Sequence, residues 1–289
     1  MRRVLRREVT GTIGLLADEY DFRVMRRYRT FAFSDFEAYL MACEDLLRSR
    51  ASQGVPTLVA LFDPEEYADF CTATGLAPDS ASSRARFTAQ LAATSVTIAY
   101  DGQPLVALIP VLVDEAVRQA TFEYASTYLA RLGACASCGE DIGQTAFARA
   151  SGLLVRILDA SPPSKGHLTC SVSMAPDTLI AALHTDAGPE GRLQLDEAEV
   201  LEVVTVMAVG IATLGPGGLV VRNCAPNSRD RVYGWQLRSG QLKPLSAAEV
   251  FNAYCIDAVT GELIAPESHV AYCAPPDIGP DPTPSVHRH

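Results

Sequence analysis

The sequence predicts a mixed α/β fold, and three observations carry that prediction. In the first half, short apolar runs with strand character alternate with capped helical segments. In the second half, helices share the chain with an alternating strand and a β-hairpin, an α+β pattern. The 289 residues are 48% hydrophobic, enough to bury the core of one large domain or two small ones.

The elements follow in order. Residues 28–33, rich in aromatics, read as a strand. Ser34-Asp35-Phe36-Glu37 has the pattern of a capping box and opens a helix reaching about Arg50. Residues 57–62, Thr-Leu-Val-Ala-Leu-Phe, suit a buried strand. Asp63 then supplies an N-cap, Pro64 the first helical position and Glu66 the third. A helix over 82–93 and a strand over 96–100 follow, the strand ended by Asp101-Gly102. From Leu105 to Tyr124 apolar residues keep helical spacing, with Pro110 expected to kink the helix or mark its start. Gly133 ends it.

The second half opens at Cys135-Ala136-Ser137-Cys138-Gly139. A helix over 143–159 leads to the loop Ser161-Pro162-Pro163-Ser164. Leu168, Cys170, Val172 and Met174 alternate with His167, Thr169, Ser171 and Ser173, which marks a half-buried strand. Asp196 caps another helix, apolar nearly all round over 203–214, as in a core or a subunit interface. The uncharged run 203–221 is broken by Gly215-Pro216-Gly217-Gly218, so it reads as helix, turn and strand rather than a membrane span. Residues 235–245 form a hairpin turning at Ser239-Gly240, and Ser246 with Glu249 opens a short helix. The expected organisation is an α/β half over 1–133 with an arginine-rich arm, an α+β half over 134–275, and an unstructured proline-rich tail over 276–289.

Charge and cysteine content narrow the functions. The net charge of -10 argues against binding to nucleic acid or anionic membrane over the whole surface. Eight arginines stand among the first thirty residues against four acidic ones, so this arm reads either as a contact for phosphate or an acidic partner or as a solvated terminus with a charged strand edge. No segment reads as a secretory signal, and eight cysteines in a chain of this length suit buried thiols in a reducing cytosol. The expected location is therefore cytoplasmic.

The Cys135–Cys138 pair carries the most chemistry. Two thiolates spaced C-x-x-C on a tight turn can face one metal ion, and the following glycine lets the backbone fold around it. Zinc is the expected ion, and it needs two more ligands. Cys170 is the first choice for a third, with Cys43, Cys71, Cys224, Cys255 and Cys273 as the other thiols. His167 and Cys170 point to opposite faces of a strand and do not serve together. Inert packing thiols and a redox pair are the competing readings of the same turn.

Three weaker features carry a structural reading of their own. Asp63 lies at a strand end, where catalytic acids collect, yet capping explains it. His184 and Asp186 offer a base and its orienter without a recognisable nucleophile. Cys255 and His269 offer a nucleophile and base, but the helical neighbours of Cys255 suit packing. Phosphate loops, dinucleotide fingerprints and zinc-protease motifs are missing from the sequence. The leading expectation is a non-catalytic regulatory or interaction protein with structural zinc at Cys135 and Cys138, dimerising through the 203–214 helix. An enzyme using a cysteine thiolate or a strand-end acid is the alternative, and nucleic-acid binding through the arginine arm a further one.

Overall fold

The computed structural model describes residues 11–280, apart from 163, 189–192, 225–227, 257–259 and 261. The fold is mixed α/β, with eight helices and two mixed sheets among the described residues. Two compact units form, Met1–Gln119 and Ala120–His289. The division falls inside a long helix, upstream of the Gly133 turn that the sequence suggested. Of the arginine arm, Arg2, Arg3, Arg6 and Arg7 lie outside the described residues.

The first unit is built on a three-stranded sheet. Strand β1 (Gly11–Leu15) runs parallel to β2 (Thr57–Leu61), and β3 (Ile98–Ala99) pairs antiparallel with β2. Its helices are α1 (Glu19–Met25), α2 (Phe36–Ser52), α3 (Pro64–Thr74) and α4 (Ala81–Thr94), followed by the start of α5 (Leu105–Arg131), which runs through Pro110. Strand β1 escapes the sequence reading because two of its five residues are glycine. The structure explains one of them: a Cβ on Gly14 would sit 2.9 Å from the Phe62 ring.

The strand expected over 28–33 does not form. The Thr30 N–H and hydroxyl both donate to the Asp79 carboxylate at 2.8 Å, so the backbone is satisfied by a side chain instead of a ladder. The rings of this segment also work as core: Tyr28 packs edge-on against Tyr67, and Phe31 against Phe22 and Tyr39. Asp35, rather than Ser34, caps α2, accepting the Ala38 N–H at 2.8 Å. Asp63 caps α3, accepting the Glu65 and Glu66 N–H groups at 2.6 and 3.1 Å.

In the second unit, α6 (Ile142–Ala160) precedes β4 (Lys165–Met174), β5 (Asp177–Ala187) and β6 (Leu193–Leu195). Helix α7 (Glu197–Thr213), β7 (Gly217–Cys224), β8 (Asp230–Arg238), β9 (Gln241–Pro244), α8 (Ala247–Cys255) and β10 (Val270–Tyr272) complete it. The sheet order is β10-β8-β7-β4-β5-β6, with β9 on β8 and only β10 parallel to its neighbour. Leu168, Cys170 and Val172 of β4 face the core at alternate positions, as the sequence pattern requires. Helix α7 lies on β4 and β5, and α6 lies on α7. A buried chain ties the end of α6 to the sheet: Asn223 Nδ2 donates to the Tyr233 hydroxyl at 2.9 Å, which donates to Ser161 Oγ at 2.9 Å. A smaller cluster joins Val232 of β8 to Val250 of α8 and Val270 of β10.

Two expectations change here. Most of the apolar stretch over 203–214 is core: Val203 through Ile211 are all buried and offer no face for a homodimer, whereas Ala212 and Thr213 are half-buried and Leu214 is exposed. The exposed apolar residue of that helix is Leu201, in its first half. The proline-rich segment expected to lack structure runs, as far as Pro280, as an extended strap against Leu153, Trp235 and Leu242. It is fastened by the Arg156 guanidinium donating to the Ile278 carbonyl. Residues 281–289 lie outside the described residues. No helix among the described residues is long and apolar enough to cross a membrane.

Asp21 gives a test of the first unit. Burial, and then the nearby Asp18, Asp63 and Glu65 carboxylates, raise its pKa from 3.8 to about 6. A raised acid holds its proton more tightly in the folded state. Its contribution is therefore present at pH below the unfolded value and lost as pH rises through the folded one. Asp21→Asn is expected to raise the melting temperature above about pH 7 and to leave it nearly unchanged below about pH 4. Thermal melts across that range check this; an equal gain at both ends contradicts it.

Candidate metal centre

The Cys135–Gly139 turn joins the end of α5 to the start of α6. Gly133, at φ +67°, turns the chain back. The Ile142 N–H donates to the Gly133 carbonyl at 3.0 Å, and Ala134 and Asp141 form an antiparallel bridge. Above that base the Cys135 N–H donates to the Glu140 carbonyl, and the Gly139 N–H to the Cys135 carbonyl, each at 2.8 Å. Gly139 closes the loop at φ +78°, a conformation that favours glycine. Asp141 caps α6 by accepting the Gln144 N–H at 2.8 Å.

Helix packing fixes the base of this turn. A Cβ on Gly143 would sit 2.6 Å from the Leu129 carbonyl oxygen, so α5 and α6 meet there backbone to side-chain-free backbone. Ala125 and Leu129 of α5 are buried in one core cluster with Ala146 and Ala150 of α6.

Within the loop the donors converge on sulfur. Cys135 Sγ lies 3.0 Å from Ser137 Oγ. The Ser137 hydroxyl, and then the backbone N–H groups of Ser137 and Cys138, pull the Cys135 thiol down to about 6. The Glu140 N–H pulls Cys138 down in the same way. Desolvation and the neighbouring Cys135 together outweigh it and leave Cys138 raised. The two side chains are close enough to hydrogen-bond to each other. Cys135 is half-buried and Cys138 exposed. The result is a pair of neighbouring cysteines, one with its sulfur beside the Ser137 hydroxyl, on a loop closed by glycine. Such donors stabilise thiolates and orient them for a metal ion.

The remaining sequence candidates are placed elsewhere. Cys170 is fully buried in β4, its pKa pushed up to about 12 by burial, so it packs as an apolar side chain rather than serving as a third ligand. Among the described residues no three His, Cys, Asp or Glu side chains gather into a metal-holding group. His184 lies on β5, not in a loop, and pairs with Glu199 rather than Asp186: Nδ1 is 3.0 Å from Oε1, and its N–H donates to Oε2 at 2.7 Å. Cys255 lies beneath Tyr272, Sγ to Oη 3.5 Å, whereas His269 stands beside Arg222 at 3.3 Å. Asp63 is occupied as a cap.

Sequence reasoning missed three contributors. Ser137 was legible as a residue between two cysteines, but its hydroxyl direction was not. Gly143 carried no signal beyond its small size. The Arg222 cluster, in which one guanidinium bonds Asp230 at 2.8 Å and Glu267 at 2.9 Å, draws on segments far apart in the chain.

The profile of a protein family described as a domain of unknown function, DUF8829, matches residues 1–103. That stretch lies in the first unit and leaves the cysteine turn outside it. No curated protein and no solved structure matches the chain.

Two outcomes follow from this geometry. Gly143→Ala should gain roughly 1 kcal/mol from helix propensity if the site were open. The Leu129 contact instead predicts a net loss of about 1–3 kcal/mol in urea unfolding; a stabilised variant contradicts the contact. In metal-free, reduced protein, Cys135 should alkylate with a midpoint near pH 6 and Cys138 only at higher pH. Ser137→Ala should move the Cys135 midpoint upward, read by peptide mapping after iodoacetamide treatment; an unmoved midpoint removes the hydroxyl from the account.

Proposed function

We propose that this chain is a non-catalytic, cytosolic regulatory or interaction protein in which Cys135 and Cys138 hold a structural zinc ion. The observation that carries the reading is the glycine-closed turn, which sets Cys135 and Cys138 on a solvent-facing loop with Ser137 Oγ 3.0 Å from Cys135 Sγ. Zinc bound to thiolates is a structural rather than a redox ion, and it stiffens loops that have little core of their own. The roles of the other reactive side chains support the same reading. Glu199 holds His184, Tyr272 lies over Cys255, and Asp63 caps a helix. The free described cysteines suit a reducing compartment. The arginines at the N-terminus remain the proposed contact for an acidic partner.

Elemental analysis tests the zinc reading. Protein purified without added chelator should retain zinc, and the Cys135→Ser, Cys138→Ser double variant should lose it. Removal of the metal should lower the melting temperature of the wild type to that of the variant. Wild type that carries no zinc as purified, or whose melting temperature does not move when the metal is removed, overturns the proposal. A reversible disulfide in wild type that carries no zinc as purified would assign the pair to redox chemistry instead.

A further inference from the structure

The zinc reading leaves the coordination sphere half filled. A structural zinc ion takes four ligands in a tetrahedron, and this turn supplies two. Among the described residues no further His, Cys, Asp or Glu joins them to make even a group of three. The other described thiols are engaged elsewhere. Cys43, Cys71, Cys170 and Cys255 are buried, and Cys273 Sγ donates to the Val232 carbonyl at 3.7 Å. Cys224 is near Asp230 and Arg222.

The shape of the turn shows where the missing ligands can approach. Ala136, Ser137, Cys138 and Gly139 are all exposed, and none carries a bulky side chain. A Cβ placed on Gly133 or Gly139 would meet nothing within 4 Å. An incoming pair of sulfurs at the usual zinc–sulfur distance of about 2.3 Å therefore meets little obstruction from this loop.

We propose that one zinc ion is shared by two copies of this chain, each contributing Cys135 and Cys138 to a four-sulfur site that makes the protein a dimer. The inference rests on the reading of the pair as zinc ligands. A second copy satisfies the count, because a two-fold axis through the metal relates two pairs into a tetrahedron. The chemistry also matches, since the partner offers the same soft ligands in the same turn. Four thiolates around Zn²⁺ leave the site with a net charge of about −2, and the protons displaced from the thiols go to solvent. Metal–thiolate bonds hold the two chains, so a broad apolar interface is not required. This places self-association at the cysteine turn rather than at the buried 203–211 stretch of α7.

Native mass spectrometry and elemental analysis of the full-length chain, kept reduced with a phosphine, test the sharing. The expected result is a dimer with one zinc per two chains. A chelator should convert it to monomer, and added zinc should restore it, with no mutation needed. One zinc per chain in a monomer overturns the sharing and leaves the zinc reading standing. Zinc-free protein overturns both. A dimer that persists after chelation, or in the Cys135→Ser, Cys138→Ser variant, also overturns the sharing.

Discussion

Where α5 meets α6, the carbonyl oxygen of Leu129 occupies the space that a side chain on Gly143 would need. That contact holds the two ends of the cysteine turn together. The Ile142 N–H to Gly133 carbonyl bond and the Ala134–Asp141 bridge lie just beyond it. The loop above contributes no buried hydrophobic side chain, so its shape comes from this base, from its own backbone bonds and from glycines at positive φ. The placement of Ser137 Oγ beside Cys135 Sγ depends on the same folding of the backbone. A change in helix packing at Gly143 would therefore reach the sulfurs without touching them.

The second unit supplies a fixed body for this turn. Helix α7 buries nine consecutive residues, Val203 to Ile211, and lies on β4 and β5. The Asn223–Tyr233–Ser161 chain fixes the far end of α6, and the close approach at Gly143 fixes the near end. Polar side chains with catalytic potential have been drawn into this framework. Glu199 of α7 accepts both the backbone and the ring of His184, and Arg222 gathers Asp230 and Glu267. The Arg222–Glu267 pair connects segments 45 residues apart, while Asp230 lies on the strand paired with that of Arg222.

Much of the helix pattern was legible because caps and periodicity act locally. Asp63, Asp196 and Ser246 each mark a helix start with a side chain bonded to the first turn. Strands were harder, since their partners are remote. Strand β5 has Ala181, Ala182 and His184 among its residues, a weak strand composition rescued by pairing with β4 on one side and β6 on the other. Residues 28–33 had strand composition, but their backbone went to Asp79 and their rings to a core. The apolar run over 203–214 fitted a core and an interface equally well, because periodicity does not say what covers a helix. At the candidate site, cysteine spacing was legible and the placement of the Ser137 hydroxyl beside Cys135 was not. The alternation already set Cys170 on the apolar face of its strand; that this face is packed wholly into the core was not legible.

The cysteine turn presents Cys135 and Cys138 to solvent, and the proposed zinc site there is the central claim. Zinc K-edge X-ray absorption on the purified, reduced protein tests it most directly. The account predicts a first shell that contains the two sulfurs of Cys135 and Cys138 at about 2.3 Å, and four sulfurs where two copies share the ion. A first shell of nitrogen or oxygen alone, at about 2.0–2.2 Å, would contradict it.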